Sequence, residues 1–196
     1  MIDLPPPFRP ARPADAAALA DLVNFAGEGL PFYLWENMRK PGETAWDVGR
    51  ARAAREEGSF SYRNAVMADA DGQAVACLIG YAQPAEPEAI DYAGLPAMFV
   101  PLQELENLAP ATWYVNVLAV YPDHRGQRFG TKLLGMADEI AARQGMRGLS
   151  VIVSDANTGA KRLYLRCGYR EAGVRPLVKD AWENEGDAWI LLTKAL

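Results

Sequence analysis

Cysteine and histidine are scarce: Cys77, Cys167 and His124 are all there is of either in 196 residues. Each cysteine sits in an apolar run, which suits a reduced core thiol and excludes a disulfide framework or a zinc site. Long hydrophobic runs are missing too, since none approaches the roughly 20 residues a membrane helix needs. There is no basic excess: charged residues make up 23% and the net charge is -5. That balance excludes a nucleic-acid binder acting through bulk electrostatics and leaves only a local basic patch. Neither nucleic acid nor membrane is therefore expected as a partner. Met1–Pro10 holds three consecutive prolines and no apolar stretch, so no signal peptide is expected and a cytoplasmic location is. No G-x-G-x-x-G follows a strand, and no acidic residue is placed for a ribose, which argues against a dinucleotide fold.

What is present is apolar mass. Half of the residues are hydrophobic, enough for a sizeable core without staples. Residues 1–7 read as a disordered lead-in, because prolines remove donors. Residues 8–196 read as one domain. Phe8–Arg9 opens a short strand. Pro13 to Ala26 has helical spacing in Ala18, Leu19, Leu22, Val23 and Ala26. Pro31–Lys40 and Thr44–Glu57 are two further helices. Ala65–Ala68 and Ala74–Tyr81 flank a hairpin turn at Asp69–Gly72. Residues 84–110 carry five prolines and read as irregular, with one short helix near Leu102–Leu108. Trp113–Val120 is a strand and Gly130–Gln144 an amphipathic helix. Leu149–Ser154 is a strand, and Asn157–Cys167 a helix with Asn157 as its cap. Trp189–Thr193 closes the chain as a strand. Strands and helices mixed around one sheet predict an α/β (α+β) fold.

Two stretches carry chemistry. In LAVYPDHRGQRFGTKLL, residues 118–134, a buried strand runs through a tight turn and a glycine-containing loop into a helix. A helix start offers unpaired N–H groups and the positive end of a dipole, which suits a pyrophosphate. His124, Arg125, Arg128 and Lys132 form the local basic patch. A plain strand-to-helix turn with a solvated charged rim has the same generic features. The second stretch is Asn157-Thr-Gly-Ala160-Lys-Arg-Leu163-Tyr164-Leu-Arg-Cys-Gly168-Tyr169. On spacing alone it is an amphipathic core helix with a glycine stop.

The first stretch resembles the acetyl-CoA-binding motif of the GNAT (GCN5-related N-acetyltransferase) superfamily, R/Q-x-x-G-x-G/A after an L-A-V-x-P segment. Arg125 and Gly130 match its ends, and Arg128 replaces its middle glycine. That side chain either reaches a cofactor phosphate or narrows the groove. The second stretch is similar to the family signature N-x-x-A-x-x-L-Y-x-x-x-G-F/Y at every motif position. The resemblance covers residues 113–170. It implies a mixed, mostly antiparallel central sheet flanked by helices, with acetyl-CoA as acetyl donor. The implied cofactor contacts are Leu118, Ala119, Val120, Arg125, Gly126, Gln127, Arg128, Phe129, Gly130, Thr131, Asn157 and Tyr164. No metal is implied.

The implied reaction moves an acetyl group to a primary amine by direct attack in a ternary complex. Backbone N–H groups near Leu118–Val120 would meet the developing oxyanion. The resemblance places Tyr164 near the thioester sulfur as general acid, and Asn116 is the strand's candidate for holding a water. No general base stands out: Trp113–Val120 has no carboxylate, and Glu28, Glu36 and Asp91 read as surface or capping groups. His124 fits the loop better than a base. Phe32, Tyr33 and Trp35 beside Glu28 and Glu36 suit a cationic amine, although packing against the sheet is the plainer reading. The acceptor is a small-molecule or peptide amine, and a homodimer stays open. The second reading is a non-catalytic acyl-CoA-binding or interaction module, kept alive by Arg128 and the missing strand carboxylate.

Overall fold

The computed structural model describes residues 4–196. Of the expected lead-in, Met1–Asp3 lie outside the described residues. The carbonyls of Pro5 and Pro7 accept the N–H groups of Phe8 and Asp69 at 3.0 and 2.9 Å.

The fold is α/β, with one open, mostly antiparallel seven-stranded sheet. Its strands are β1 (Phe8–Pro10), β2 (Ala65–Ala70), β3 (Gln73–Ala82), β4 (Thr112–Val120), β5 (Gly148–Ser154), β6 (Arg170–Pro176) and β7 (Ala188–Ala195). Their order is β1-β2-β3-β4-β5-β7-β6. The helices are α1 (Ala16–Ala26), α2 (Leu30–Met38), α3 (Ala45–Ala53), α4 (Val100–Glu106), α5 (Phe129–Arg143) and α6 (Thr158–Arg166). No described helix is long and apolar enough to cross a membrane.

The chain divides into two compact units. The first comprises Met1–Gly80 and Val117–Leu133. Leu19 and Leu22 of α1, Met67 of β2 and Ile79 of β3 are sealed in its core. Trp35 of α2 stacks on Phe60 with ring centres 6.0 Å apart. Phe32 meets Trp46 at 5.2 Å, so these aromatics pack the helices together. Thr44 starts α3 through a capping box with Asp47, as its sequence position suggests. That helix stops at Ala53, short of the expected Glu57.

The second unit comprises Tyr81–Asn116 and Leu134–Leu196. Leu105, Leu134, Ala137, Leu149, Leu191 and Leu192 form its sealed interior. α4 lies within the proline-rich segment, close to the short helix expected there. It rests on β6 where Gly173 leaves bare backbone: a Cβ at that position would meet Leu108 Cδ1 at 2.8 Å and Leu105 Cδ2 at 3.2 Å. Glu104 of α4 also accepts from Arg175 Nε of β6 at 2.5 Å. β6 has no counterpart in the sequence reading. It pairs on one side with β7 and shows mostly exposed side chains, so it lacks the apolar alternation that marks a half-buried strand.

Candidate active site

Two parts of the chain carry the expected site residues, one in each unit. In the first unit, β4 ends with Leu118 and Val120 half-exposed and Ala119 buried. The Tyr121 N–H then donates to Val75 O at 2.9 Å. Burial, helped by the charge of Asp21, pushes the Tyr121 hydroxyl up to about 12. A single 3-10 turn, Pro122–His124, leads into the loop. His124 lies in this turn and donates its backbone N–H to Tyr121 O.

Arg125 folds back so that its Nε donates to the Val120 carbonyl at 3.2 Å. This ties the loop to the strand end. Gly126 and Arg128 both have positive φ, 77° and 66°. A glycine reaches that region without strain, while a side chain there costs about 1–2 kcal/mol. The left-handed turn at 128 is therefore the reason a glycine suits this position, and Arg128 holds the same shape under strain with its side chain exposed. Gln127 is exposed as well. Phe129 is buried and meets Phe8 edge-on at 6.4 Å, which anchors the first residue of α5. Lys132 N–H reaches Arg128 O at 3.0 Å, the first helical bond of α5. The N–H groups of Phe129, Gly130 and Thr131 thus precede the helical ladder and have no carbonyl of their own helix to bond. Together they form a short cradle of N–H donors with cationic side chains at its rim, the chemistry a pyrophosphate needs.

In the second unit, β4 and β5 run parallel and pair over Thr112↔Gly148, Trp113↔Leu149 and Tyr114↔Ser150. Asn116 lies beyond the last of these pairs and is half-exposed. Asn157 Oδ1 accepts the Ala160 N–H at 3.1 Å, so it caps α6 as expected. Tyr164 of α6 is 4% exposed and packs on the Tyr169 ring at 5.5 Å. Its hydroxyl makes no hydrogen bond to a described residue. It differs from Tyr169 Oη, which is both unpartnered and sealed off. Burial, and secondarily the Cys167 charge, raises the Tyr164 hydroxyl well above the ordinary phenol range. The group is a neutral donor at any working pH.

Two of the three carboxylates weighed as bases, Glu36 and Asp91, have the surface or capping roles expected of them. Glu36 pairs with Arg39 at 2.6 Å on an exposed helix face. Asp91 Oδ1 accepts the N–H groups of Ala93 and Gly94 in a local turn. Glu28 is half-buried between α1 and α2 with φ 52°. Glu106, at the end of α4, is the carboxylate that sequence reading missed. Its Oε2 accepts from Gln83 Nε2 at 3.2 Å. Burial first, and Glu88 last, hold its carboxyl above the usual range, against the lowering effect of Gln83. Among the described residues, no group of three or more His, Cys, Asp or Glu is arranged to hold a metal.

Residues 31–169 match the family model described as the acetyltransferase (GNAT) family. This chain belongs to that family. Among solved structures it is similar to one described as an acetyltransferase, at 20% identity and a TM-score of 0.65, covering 96% of this chain and 98% of that one. It is also similar to an N-acetyltransferase from Staphylococcus aureus Mu50, at 19% identity and a TM-score of 0.62, covering 95% and 98%. A GNAT family acetyltransferase from Elizabethkingia anophelis, solved with acetyl-CoA bound, matches at 22% identity and a TM-score of 0.50, covering 67% and 75%. At these identities the likeness is one of fold. No curated protein matches the chain in sequence.

Proposed function

We propose that this acetyltransferase moves the acetyl group of acetyl-CoA to a primary amine, by direct attack while both substrates are bound. The observation that carries the reading is Tyr164: a nearly buried side chain whose hydroxyl has no protein partner among the described residues and is not sealed. A phenol that only filled a core would be expected to bond or be shut in. The acetyl-CoA of the Elizabethkingia anophelis protein, which shares the fold, supports the choice of donor.

Acetyl-CoA supplies a thioester whose carbonyl takes the amine and whose sulfur leaves. The chain's own residues do the rest. Gly126 and Arg128 shape the loop, Phe129, Gly130 and Thr131 present N–H groups to the pyrophosphate, and Arg125 and Gln127 stand at its rim. The backbone of Leu118, Ala119 and Val120 lines the pantetheine arm and donates to the oxygen on which charge develops. Asn116 holds a water near the amine, and Asn157 fixes the helix that carries Tyr164. Tyr164 donates to the departing sulfur. Its raised pKa makes full transfer to a thiolate uphill, so its contribution is a hydrogen bond that grows as the charge appears.

Two measurements test this. Acetyl-CoA raises the melting temperature, as a ligand of the native state does, while NADH and ATP do not do so comparably. A thiol-release assay with an amine panel then shows turnover. Uptake of acetyl-CoA with no thiol released from any amine would instead mark a non-catalytic acyl-CoA-binding module.

A further inference from the structure

The mechanism above makes no use of Glu106, a carboxylate of the second unit. Among the described residues, no cation pairs with its carboxylate. Gln83, just past β3, is its hydrogen-bond partner among the described residues, through Oε2. Oε1 has no such partner and is not sealed off. Gln83 is itself fixed by its backbone N–H on Thr112 O at 2.8 Å, where β4 begins. Two residues along β4 stands Tyr114, 6% exposed, whose ring meets Tyr81 at 5.6 Å and 60°. The Tyr114 hydroxyl has no hydrogen bond to a described residue, and it is not sealed off either. Burial first, then the charges of Glu106, Tyr81 and Tyr164, hold it protonated. One carboxylate and the paired rings of Tyr81 and Tyr114, with Glu106 and Tyr81 both close enough to act on the Tyr114 hydroxyl, are the complement of an ammonium group.

We propose that Glu106, with Gln83, Tyr81 and Tyr114, is the acceptor end of the site: it binds a protonated primary amine, and Glu106 takes the proton that frees the nucleophile. The inference rests on the acetyltransferase reading and names its substrate class as cationic primary amines. Glu106 removes one of the three ammonium protons and becomes the neutral acid. The freed lone pair forms the C–N bond as the C–S bond breaks. The second proton lost by nitrogen reaches the departing thiolate through solvent, while Tyr164 keeps its own proton and stabilises the sulfur by a hydrogen bond. Glu106 returns its proton to water through the accessible Oε1, so each turnover releases one proton. A carboxylate whose pKa is raised by burial is better matched to this task than an exposed one.

The other groups around α4 leave Glu106 this role. Glu88 is the nearby second carboxylate. On β6, Arg175 is held by Glu104, and Glu171 by Lys161. On β7, Lys194 is held by Asp138. β5 and the turn at Ala97–Phe99 carry no titratable side chain.

The test compares wild type with Glu106→Gln, which keeps the shape and the bond to Gln83. Unbranched amines from butylamine to 1,8-diaminooctane are titrated in the presence of CoA by calorimetry, and the same amines are offered with acetyl-CoA in the thiol-release assay. Wild type is expected to bind the ammonium form. Glu106→Gln should bind it at least about tenfold more weakly and lose about 10²–10⁴-fold in kcat, with CoA affinity and melting temperature unchanged. Its residual rate should climb with pH, because the amine must then reach its neutral form unaided. Tyr114→Phe, as a second variant, should weaken amine binding without changing CoA affinity. Equal amine affinity in wild type and Glu106→Gln overturns the proposal, and so does no amine binding by wild type. Amine binding that depends on Glu106 but gives no thiol release leaves this site standing and removes the transferase reading instead.

Discussion

Thr112 Oγ1 and Ser150 Oγ lie 2.7 Å apart in the buried zone where β4 and β5 are paired. Thr112 also donates to the Ala109 carbonyl at 2.7 Å. A hydroxyl has one proton, so Ser150 is the donor to Thr112. The direction matters for what each deletion costs. Ser150→Ala removes a donor but strands no proton, and should cost about 0.5–1.5 kcal/mol. Thr112→Val leaves both the Ser150 hydroxyl and the Ala109 carbonyl without their partner, and each buried orphan costs about 1–3 kcal/mol. The pair Thr112→Val/Ser150→Ala should be no worse than Thr112→Val alone. Urea midpoints of the three variants check the order, and a Ser150→Ala loss larger than that of Thr112→Val would reverse the assigned direction.

Arg128 gives a prediction in which stability and binding separate. Glycine at 128 relieves about 1–2 kcal/mol of left-handed strain and returns about 0.4–1 kcal/mol as extra freedom of the unfolded chain. Arg128→Gly should therefore raise stability by up to about 1.6 kcal/mol. Acetyl-CoA affinity should stay level or improve. A tenfold weakening, about 1.4 kcal/mol, would mean that Arg128 itself holds a phosphate.

Tyr164→Phe keeps the ring contact with Tyr169 and removes one hydroxyl. Turnover should fall toward the lower end of about 10²–10⁴-fold, because the raised phenol stabilises the leaving sulfur without completing proton transfer. Acetyl-CoA affinity should not change. The alkaline limb of the pH–rate profile should be the same in wild type and variant, since Tyr164 does not ionise in the assay range. Full turnover in the variant, with chemistry shown to limit the rate, returns Tyr164 to a packing role.

Acid should act on the first unit through Asp15. Burial works against its charge. Arg9, at 2.7 and 2.9 Å, and the Arg12 N–H outweigh that and hold the carboxyl below its ordinary value. A depressed folded pKa gives stability that is present above the unfolded value, about 3.9, and is lost as pH falls through the folded one. Asp15→Asn should lower stability by about 1.5–3 kcal/mol at pH 7, and the gap from wild type should narrow below pH 4. Urea unfolding at pH 7 and pH 3 measures both.

Much of this was legible in the chain. α5 and α6 announce themselves by apolar spacing and by Asn157, because helix periodicity and capping are local properties. The loop from Arg125 to Gly130 was legible for the same reason. Its conformation at Arg128 was not, because an arginine gives no sign of the left-handed backbone it has to adopt. β6 was hidden by its edge position: polar, exposed residues match a loop as well as a strand. Glu106 was hidden more deeply. Five prolines make residues 84–110 read as irregular, and the burial that shifts this carboxyl depends on Gln83 and on the neighbourhood of Tyr114. Those contacts are long-range, and a motif cannot spell them.

The seating of α4 on bare backbone at Gly173 bears on how selective the enzyme will be. Leu105 and Leu108 press on the strand with no side chain between to yield, and Glu104 is tied to Arg175. A helix clamped in this way has no slack to rock outward for a bulkier guest. The carboxylate at its end is held by Gln83 as well, so the Glu106 proposal expects little reorganisation when an amine of the right length arrives. On the Glu106 proposal, an amine branched next to its nitrogen should bind more weakly than its unbranched isomer. Selectivity at this end would then come from refusal, and widening it would mean trimming the side chains that seat α4 on β6.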